Sequence, residues 1–292
     1  MKIRPARLVA CTVIVRLLAF ILMLLALWLP LVGVIHWLVT DQNTVSIIVM
    51  ALLFVEFLCL LHWWSRHVYG TPSLLQQYGL VWTRQNAKDL VEGLGIGAIS
   101  LLSLFLLQGI LGWISWQPLS LGLIQIGLEG LMVALGVALG EELIFRGWLL
   151  DELQRDYRLT TALWASSLAF AVLHYIKPFE QMLQSAPQFF GLVLLGLTLV
   201  WAKRSTSNKQ SLAAQGRLGL PIGLHAGLVW GYYIINVGEL VDYSGRVPEW
   251  VTGIDRNPLA GGIGVLFLGV LALCMRRRCQ QLKRQDRRHA AD

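Results

Sequence analysis

Long apolar runs alternate with short polar connectors along the whole chain, and this pattern restricts the fold more than any other feature of the sequence. Most runs are close to the roughly 20 residues that an α-helix needs to cross a bilayer core of about 30 Å. Hydrophobic residues make up 56% of the chain and charged residues 14%, whereas ordinary soluble domains contain about 25% charged residues. We therefore predict an all-α, polytopic, integral membrane protein with about eight transmembrane helices.

The eight runs are delimited by their polar flanks. They cover approximately residues 8–39, 45–64, 90–113, 119–150, 161–176, 187–202, 218–237 and 259–275. The first run is too long for the core of a signal peptide and lacks an obvious cleavage site, so we expect it to stay in the protein as an anchor. The fourth run exceeds one perpendicular span at about 1.5 Å per residue, so it must tilt, break or protrude.

The basic residues indicate how the spans are oriented. With eight spans and both termini in the cytoplasm, most of the 24 Lys and Arg residues, Lys203 among them, fall on cytoplasmic segments, as the positive-inside rule requires. The basic end after Arg276 suits contact with anionic membrane lipids, and no surface of the chain suggests a nucleic-acid partner. We expect a multi-pass protein in the plasma membrane or an internal membrane of a bacterium. The oligomeric state is left open.

The fourth run contains three ionisable side chains within six residues, Glu141, Glu142 and Arg146. A charge at the centre of a transmembrane helix costs about 2.5–3.5 kcal/mol even on the mildest scale, so such groups are functional candidates. On a helix, Glu142 and Arg146 are i,i+4 neighbours and can neutralise each other, whereas Glu141 lies about 100° round the helix. Glu141 is therefore the carboxylate without a local partner.

Two histidines lie inside other apolar runs. His174 is near the end of the fifth run and His225 lies in the seventh. Ionisable groups on three separate spans indicate a polar cavity, because membranes admit such groups mainly where they line one. Four glycines at intervals of four residues form a ridge on the seventh run, namely Gly219, Gly223, Gly227 and Gly231. We expect this ridge to pack on a neighbouring helix while His225 faces the other side.

One carboxylate and two imidazoles suit hydrolysis. A carboxylate shielded from bulk water can act as a general base for a water molecule, and an imidazole can hold that water or donate to the oxyanion. The same set, Glu141, His174 and His225, could instead bind zinc and leave one position open for water. The residues alone leave both mechanisms open. The four cysteines show no CxxC spacing, so neither a disulfide frame nor a cysteine metal site is predicted.

Taken together, Glu141-Glu142-xxx-Arg146, Phe170-xxx-His174 and His225 resemble the motifs of the CPBP intramembrane proteases. This family includes the type II CAAX prenyl endopeptidases and the bacterial bacteriocin-processing or self-immunity Abi proteins. The resemblance covers about residues 119–237. It implies that Glu141 activates the attacking water together with His174. It also implies that Glu142 and Arg146 form a supporting ion pair, and that His225 contributes to the oxyanion site or to a metal.

On this basis we divide the chain into three parts: N-terminal transmembrane helices with a connector at 1–117, a protease-like core at 118–240, and a last transmembrane helix with a basic tail at 241–292. The resemblance implies a glutamate-dependent endopeptidase or metallo-endopeptidase. The depths of Glu141, His174 and His225, counted from the inner ends of their spans, predict an active site toward the cytoplasmic side. The expected substrate is a peptide or protein, with or without a lipid group.

One position departs from the pattern of the prenyl endopeptidases, whose last motif reads His-xxx-Asn. Four residues after His225 stands Val229, and the bacterial branch tolerates an apolar residue there. The same helix face continues to Tyr232, whose phenol leans back toward His225 because helical side chains point toward the N-terminus. We predict that Tyr232 replaces the missing amide donor.

Two other classes of function stay open. The departure at Val229 is compatible with a catalytically silent scaffold or an immunity-type protein, and an intramembrane acid such as Glu129 could belong to a proton-coupled transporter. A transporter more often contains internal repeats with broken helices, and we find none in the sequence. Arg16 and Glu56, on the first two runs, are expected to form a structural ion pair.

Overall fold

The computed structural model describes residues 5–175, 182, 186–207 and 215–288, and these residues form a bundle of helices. The main helices are α1 (Val13–Leu38), α2 (Gln42–His67), α3 (Arg84–Ile110), α4 (Leu123–Glu142), α5 (Leu150–Asp156), α6 (Leu159–His174), α7 (Ala186–Arg204), α8 (Gly219–Val237) and α9 (Gly262–Arg288). Short helices lie at Leu74–Gln77 and Glu249–Thr252, and 3-10 turns lie at Pro5–Ala10, Ile254–Arg256 and Pro258–Ala260.

Within the described part of the chain, six helices are long and apolar enough to cross a membrane. They are α1, α2, α3, the continuous helix Leu123–Asp156, α7 and α8. The fifth predicted run forms the shorter apolar helix α6, and its last predicted residue, Ile176, lies outside the described residues. The eighth run forms α9, which continues to Arg288, and the last four residues of the predicted basic tail are also outside the described part. The all-α polytopic fold is confirmed, whereas the orientation in the membrane stays a prediction.

The fourth run forms one continuous helix that changes type along its length. The α-helix α4 ends at Glu142, and Leu143–Leu149 form a π-helix that leads directly into α5. A π turn contains one more residue than an α turn, so it widens the helix, and π-helices are frequently found at functional sites. This π segment begins directly after the Glu141-Glu142 pair.

The only strands among the described residues form a small antiparallel pair that the sequence did not predict. Strand β1 (Ile114–Trp116) follows α3, and β2 (Val241–Tyr243) follows α8. Ile114 pairs with Tyr243 and Trp116 with Val241. The pair therefore ties the ends of α3 and α8 together.

Glycines bring α3 and α8 into close contact. A Cβ atom on Gly223 would lie 2.0 Å from the carbonyl oxygen of Leu90, and one on Gly227 would lie 2.3 Å from that of Leu94. Conversely, a Cβ atom on Gly93 of α3 would lie 2.3 Å from the carbonyl oxygen of Leu220. The predicted ridge on α8 thus packs on a neighbour as expected. The reciprocal Gly93-xxx-Gly97 motif on α3 was not singled out, although its small-xxx-small spacing is typical of such contacts.

The predicted ion pair between Arg16 and Glu56 is wrong. The Arg16 guanidinium instead donates to Glu152 at 2.9 Å and to Asp156 at 2.8 Å, both on α5. Tyr69 donates to the second oxygen of Glu152 at 2.5 Å, and burial followed by the Glu152 charge raises the pKa of this phenol well above its usual range. The acidic residues of α5 therefore anchor the N-terminal helix to the core, a pairing across 136 residues that hydropathy does not reveal.

Lys203, which directly follows the sixth predicted run, is part of a helix. It lies in the last turn of α7, and its side chain is fully buried. The basic end of α9 also contacts the bundle: Arg278 forms an ion pair with Glu92 of α3, and the Arg276 guanidinium lies 5.9 Å from the Trp201 ring centre.

Candidate active site

The buried ion pair predicted from the spacing of the acidic motif is present. Arg146 donates from its guanidinium to Glu142 at 2.9 Å, and both side chains are 0% exposed. The guanidinium also lies 4.3 Å from the ring centre of Phe170, within the range of a cation–π contact. Phe170 in turn packs against the His174 ring at a centroid distance of 4.2 Å. The apolar residue of the Phe170-xxx-His174 motif therefore joins the ion pair to the histidine.

Helix α8 brings His225 to the same pair. Its Nδ1 atom lies 2.9 Å from Oε1 of Glu142, the oxygen that also accepts from Arg146. Because Glu142 is ionised against Arg146, it accepts, and His225 must donate from Nδ1. The Trp230 indole fixes α8 against α4 by donating to the Gly127 carbonyl at 2.8 Å.

Glu141 has no ion-pair partner on its own helix, as predicted, and meets both histidines across the bundle. Its Oε2 atom lies 3.0 Å from Nε2 of His174 and 3.8 Å from Nε2 of His225. Glu141 is 27% exposed and His174 is 28% exposed, in contrast to the sealed Glu142. The two neighbouring carboxylates therefore have different surroundings, one enclosed and one open.

Hydrogen bonds fix the orientation of both imidazole rings. Nδ1 of His174 lies 2.8 Å from the carbonyl oxygen of Phe170, which can only accept, so Nδ1 carries a proton. Nε2 of His174 then faces Oε2 of Glu141 at 3.0 Å, and the two atoms share one proton in a hydrogen bond. In both histidines, Nδ1 forms a hydrogen bond, with the Phe170 carbonyl for His174 and with Glu142 for His225, and Nε2 faces Glu141. Such a partner at the second nitrogen sets the tautomer of a catalytic or metal-bound histidine.

An apolar cavity of about 300 Å³ opens onto these groups. Glu141, His174 and His225 line it, and most of the remaining wall is aliphatic or aromatic. The wall side chains come from α3, α4, α6, α7, α8, α9 and the segment before α9, and include Leu101, Leu104, Leu192, Leu195, Phe267 and Leu268. A few convergent polar groups in an apolar pocket are typical of ligand and active sites.

The cavity wall also includes Val229, which stands where the prenyl endopeptidases have Asn, and the nearby Tyr232. The replacement of an amide donor by the Tyr232 phenol stays a prediction. Glu129 is not among the lining residues; it accepts from Gln125 at 2.7 Å on an exposed helix face.

Glu141, His174 and His225 offer the kinds of donor atoms that a zinc ion needs. Carboxylate oxygen and imidazole nitrogen are atoms that zinc accepts. Among the residues that the structure describes, however, no group of three or more His, Cys, Asp or Glu side chains is arranged to hold a metal ion. Binding of zinc by Glu141, His174 and His225 therefore stays a prediction.

Sequence reasoning missed the polar cavity residues outside the motifs. Ser100 of α3, Gln188 of α7 and Asn257 all line the cavity. Asn257 precedes Pro258, a dipeptide that indicates a turn but says nothing about what the turn faces. No local pattern marked these three residues as part of a site.

The fold and the site together define a class: a polytopic helical membrane protein with a carboxylate and two histidines in an apolar intramembrane cavity. Residues 123–231 match a family model described as type II CAAX prenyl endopeptidase Rce1-like. This match supports the resemblance: the segment is similar to the CPBP family of membrane proteases. No curated protein and no solved structure matches the chain.

Proposed function

We propose that this protein is an intramembrane endopeptidase in which Glu141 activates the attacking water. The observation that carries the proposal is the convergence of Nε2 of His174 and Nε2 of His225 on Oε2 of Glu141, at 3.0 and 3.8 Å. These groups come from three helices and face one cavity. The match to a protease family supports the reaction class.

The first step forms the bond between water and the scissile carbonyl carbon. Both imidazole contacts fall on Oε2 of Glu141, and Oε1 has no hydrogen bond among the described residues. Oε1 is therefore the oxygen that takes a proton from the water as the water attacks. Nε2 of His225, when protonated, donates to the carbonyl oxygen as its negative charge develops.

The second step breaks the carbon–nitrogen bond. The proton held by Glu141 passes to the leaving amine, the carbonyl forms again, and the products are an amine and a carboxylic acid, which then loses its proton to solvent. His174 keeps Glu141 in place throughout, because its own Nδ1 is held by the Phe170 carbonyl. Glu142 and Arg146 hold His225 and do not react.

The cavity wall supports a substrate with a large apolar part. A peptide close to the membrane fits, with an apolar side chain or a lipid group seated among the leucines of α3, α7 and α9. The name of the matched family suggests a prenylated C-terminal motif, whereas Val229 in the cavity wall argues for a different preference. The charge distribution of the connectors supports access from the cytoplasmic side.

The test is cleavage in lipid by the purified wild type and by Glu141→Gln. A library of membrane-derived peptides and a farnesylated fluorogenic peptide serve as probes, each with and without a chelator. We expect the variant to lose about 10²–10⁴-fold in rate, the range that a general base contributes. Chelator sensitivity of the wild type would establish the metal mechanism instead.

Two results would overturn the proposal. Equal cleavage by Glu141→Gln and the wild type would remove Glu141 from the mechanism. An absence of cleavage by both, with Glu141→Gln folded and fully functional in cells, would favour a silent scaffold or an immunity-type protein.

A further inference from the structure

Lys203 is a fully buried cation that the proposed reaction does not use. Its Nζ atom donates to the carbonyl oxygen of Arg146 at 2.7 Å, and its side chain is 0% exposed. Among the described residues it forms no ion pair, although the carboxylates of Asp151 and Glu142 attract its charge. A buried ammonium held without direct contact to a carboxylate is costly. Such a group therefore needs an explanation beyond packing.

Its acceptor lies in the π segment. A π turn bonds each carbonyl to the amide five residues on, and its main chain is wider and less regular than that of an α-helix. Two side chains from neighbouring helices hold this segment at consecutive carbonyls: Ser166 of α6 donates to Phe145 at 3.0 Å, and Lys203 of α7 donates to Arg146. The π segment is thus braced from outside at the residue that bears the guanidinium.

Arg146 connects this brace to the reacting groups. Its main-chain carbonyl accepts from Lys203, while its side chain donates to Glu142 at 2.9 Å. Glu142 accepts from Nδ1 of His225 through the same oxygen atom. A shift of the main chain at Arg146 therefore moves the guanidinium, then the carboxylate and then the imidazole. Displacements near 1 Å in such a supporting chain can cost about 10²-fold in rate.

We propose that Lys203 is a positioning residue, which braces the π turn at Arg146 and so sets the orientation of His225 through Glu142. The inference rests on the proposed endopeptidase function for its effect on rate. Its structural half, the local bracing of the π segment, is independent of any substrate.

The experiment compares Lys203→Met with Arg204→Met in the full-length protein in lipid. Methionine keeps most of the length and the apolar character of the lysine side chain but cannot donate. Arg204 is the neighbouring cation and contacts the Leu159 carbonyl instead of the π segment, so Arg204→Met is the matched control. Steady-state cleavage of the library peptide that the wild type cleaves fastest gives kcat and KM. Hydrogen–deuterium exchange gives the protection of 143–151.

For Lys203→Met we expect kcat to fall about 10–100-fold, the range typical of supporting groups, with KM within about 2-fold. Exchange should accelerate in 143–151 and stay unchanged in α3 and α9. Arg204→Met should resemble the wild type in all three measurements. Lys203→Arg, which keeps a charged donor, should recover part of kcat.

Each outcome decides the inference. Unchanged kcat in Lys203→Met, with Glu141-dependent cleavage by the wild type, would overturn it while leaving the proposed function intact. If the wild type cleaves nothing, the proposed function fails, and exchange alone decides whether Lys203 braces the π segment. Faster exchange throughout the protein would show a general loss of stability and would overturn a local role.

Discussion

Oε1 of Glu142 accepts two hydrogen bonds, one from Arg146 and one from Nδ1 of His225, each at 2.9 Å. The neighbouring Glu141 shares none of these contacts and faces the cavity with His174. Two adjacent carboxylates in the chain therefore have different surroundings, and the proposed function assigns the supporting role to the buried one and the reacting role to the open one. In other enzymes too, paired acids with different surroundings take different roles.

Replacement of either glutamate should show this division. Glu142→Gln should lower the free energy of unfolding by about 3–5 kcal/mol, because it leaves the buried Arg146 without a counter-ion, and should also slow cleavage. Glu141→Gln should slow cleavage by about 10²–10⁴-fold with little change in stability. Thermal unfolding in detergent, measured beside the cleavage rate, checks both. Equal destabilisation by the two variants would contradict the division.

Arg16 should contribute far more to stability than Glu56, the other charged residue within the first two apolar runs. Arg16→Met leaves the carboxylate of Glu152 buried without its cation, and we expect a loss of about 3–5 kcal/mol. Glu56→Gln is the control, because Glu56 does not contact Arg16, and it should unfold within about 0.5 kcal/mol of the wild type. Thermal unfolding with cleavage as a second readout measures both. Similar effects of the two substitutions would restore the pair predicted from the sequence.

The contact between α3 and α8 should not tolerate a methyl group. Gly223→Ala places its Cβ atom 2.0 Å from the Leu90 carbonyl, so the helices must separate. We expect a cost of roughly 1–3 kcal/mol, as for other overpacked sites. Gly95→Ala on α3 meets no atom within 4 Å and should stabilise by up to about 1 kcal/mol, because alanine favours helix. Unfolding measurements on the two variants should therefore differ in sign.

Tyr232 and Val229 offer a test of the oxyanion donor. If the phenol donates to the oxyanion, Tyr232→Phe should reduce kcat by about 10²-fold, the lower range for loss of one such donor. Val229→Asn in the Tyr232→Phe background should then restore part of the rate, because both residues line the cavity. Tyr233→Phe is the control, since its ring packs on Gly130 of α4. Unchanged cleavage by Tyr232→Phe would exclude the phenol as the donor.

Three features that depend on local sequence pattern were predicted correctly. Apolar runs of membrane-spanning length predicted the helices, and i,i+4 spacing predicted the pair of Glu142 and Arg146. Glycine spacing on α8 predicted which side packs. Each of these properties follows from the geometry of a single helix.

Long-range pairing could not be predicted in the same way. Judged from the sequence, Arg16 could pair with any of several acidic residues. Only the packing of α1 against α5 selects Glu152 and Asp156. The sequence places Lys203 at the basic end of the sixth run, and only the fold shows that its side chain is buried beside the π segment. Hydropathy measures the average preference of a residue type for water or for an apolar environment. It carries no information about which partner allows a charged residue to be buried.

By itself, the sequence determined a polytopic helical membrane protein and the residue types of its candidate site, because hydrophobicity and helical period act within one segment. Only the tertiary structure decided that Oε2 of Glu141 meets Nε2 of both His174 and His225, while Nδ1 of His225 is held by Glu142. The distances between these atoms depend on how separate helices pack, and the packing is set by contacts between residues far apart in the chain.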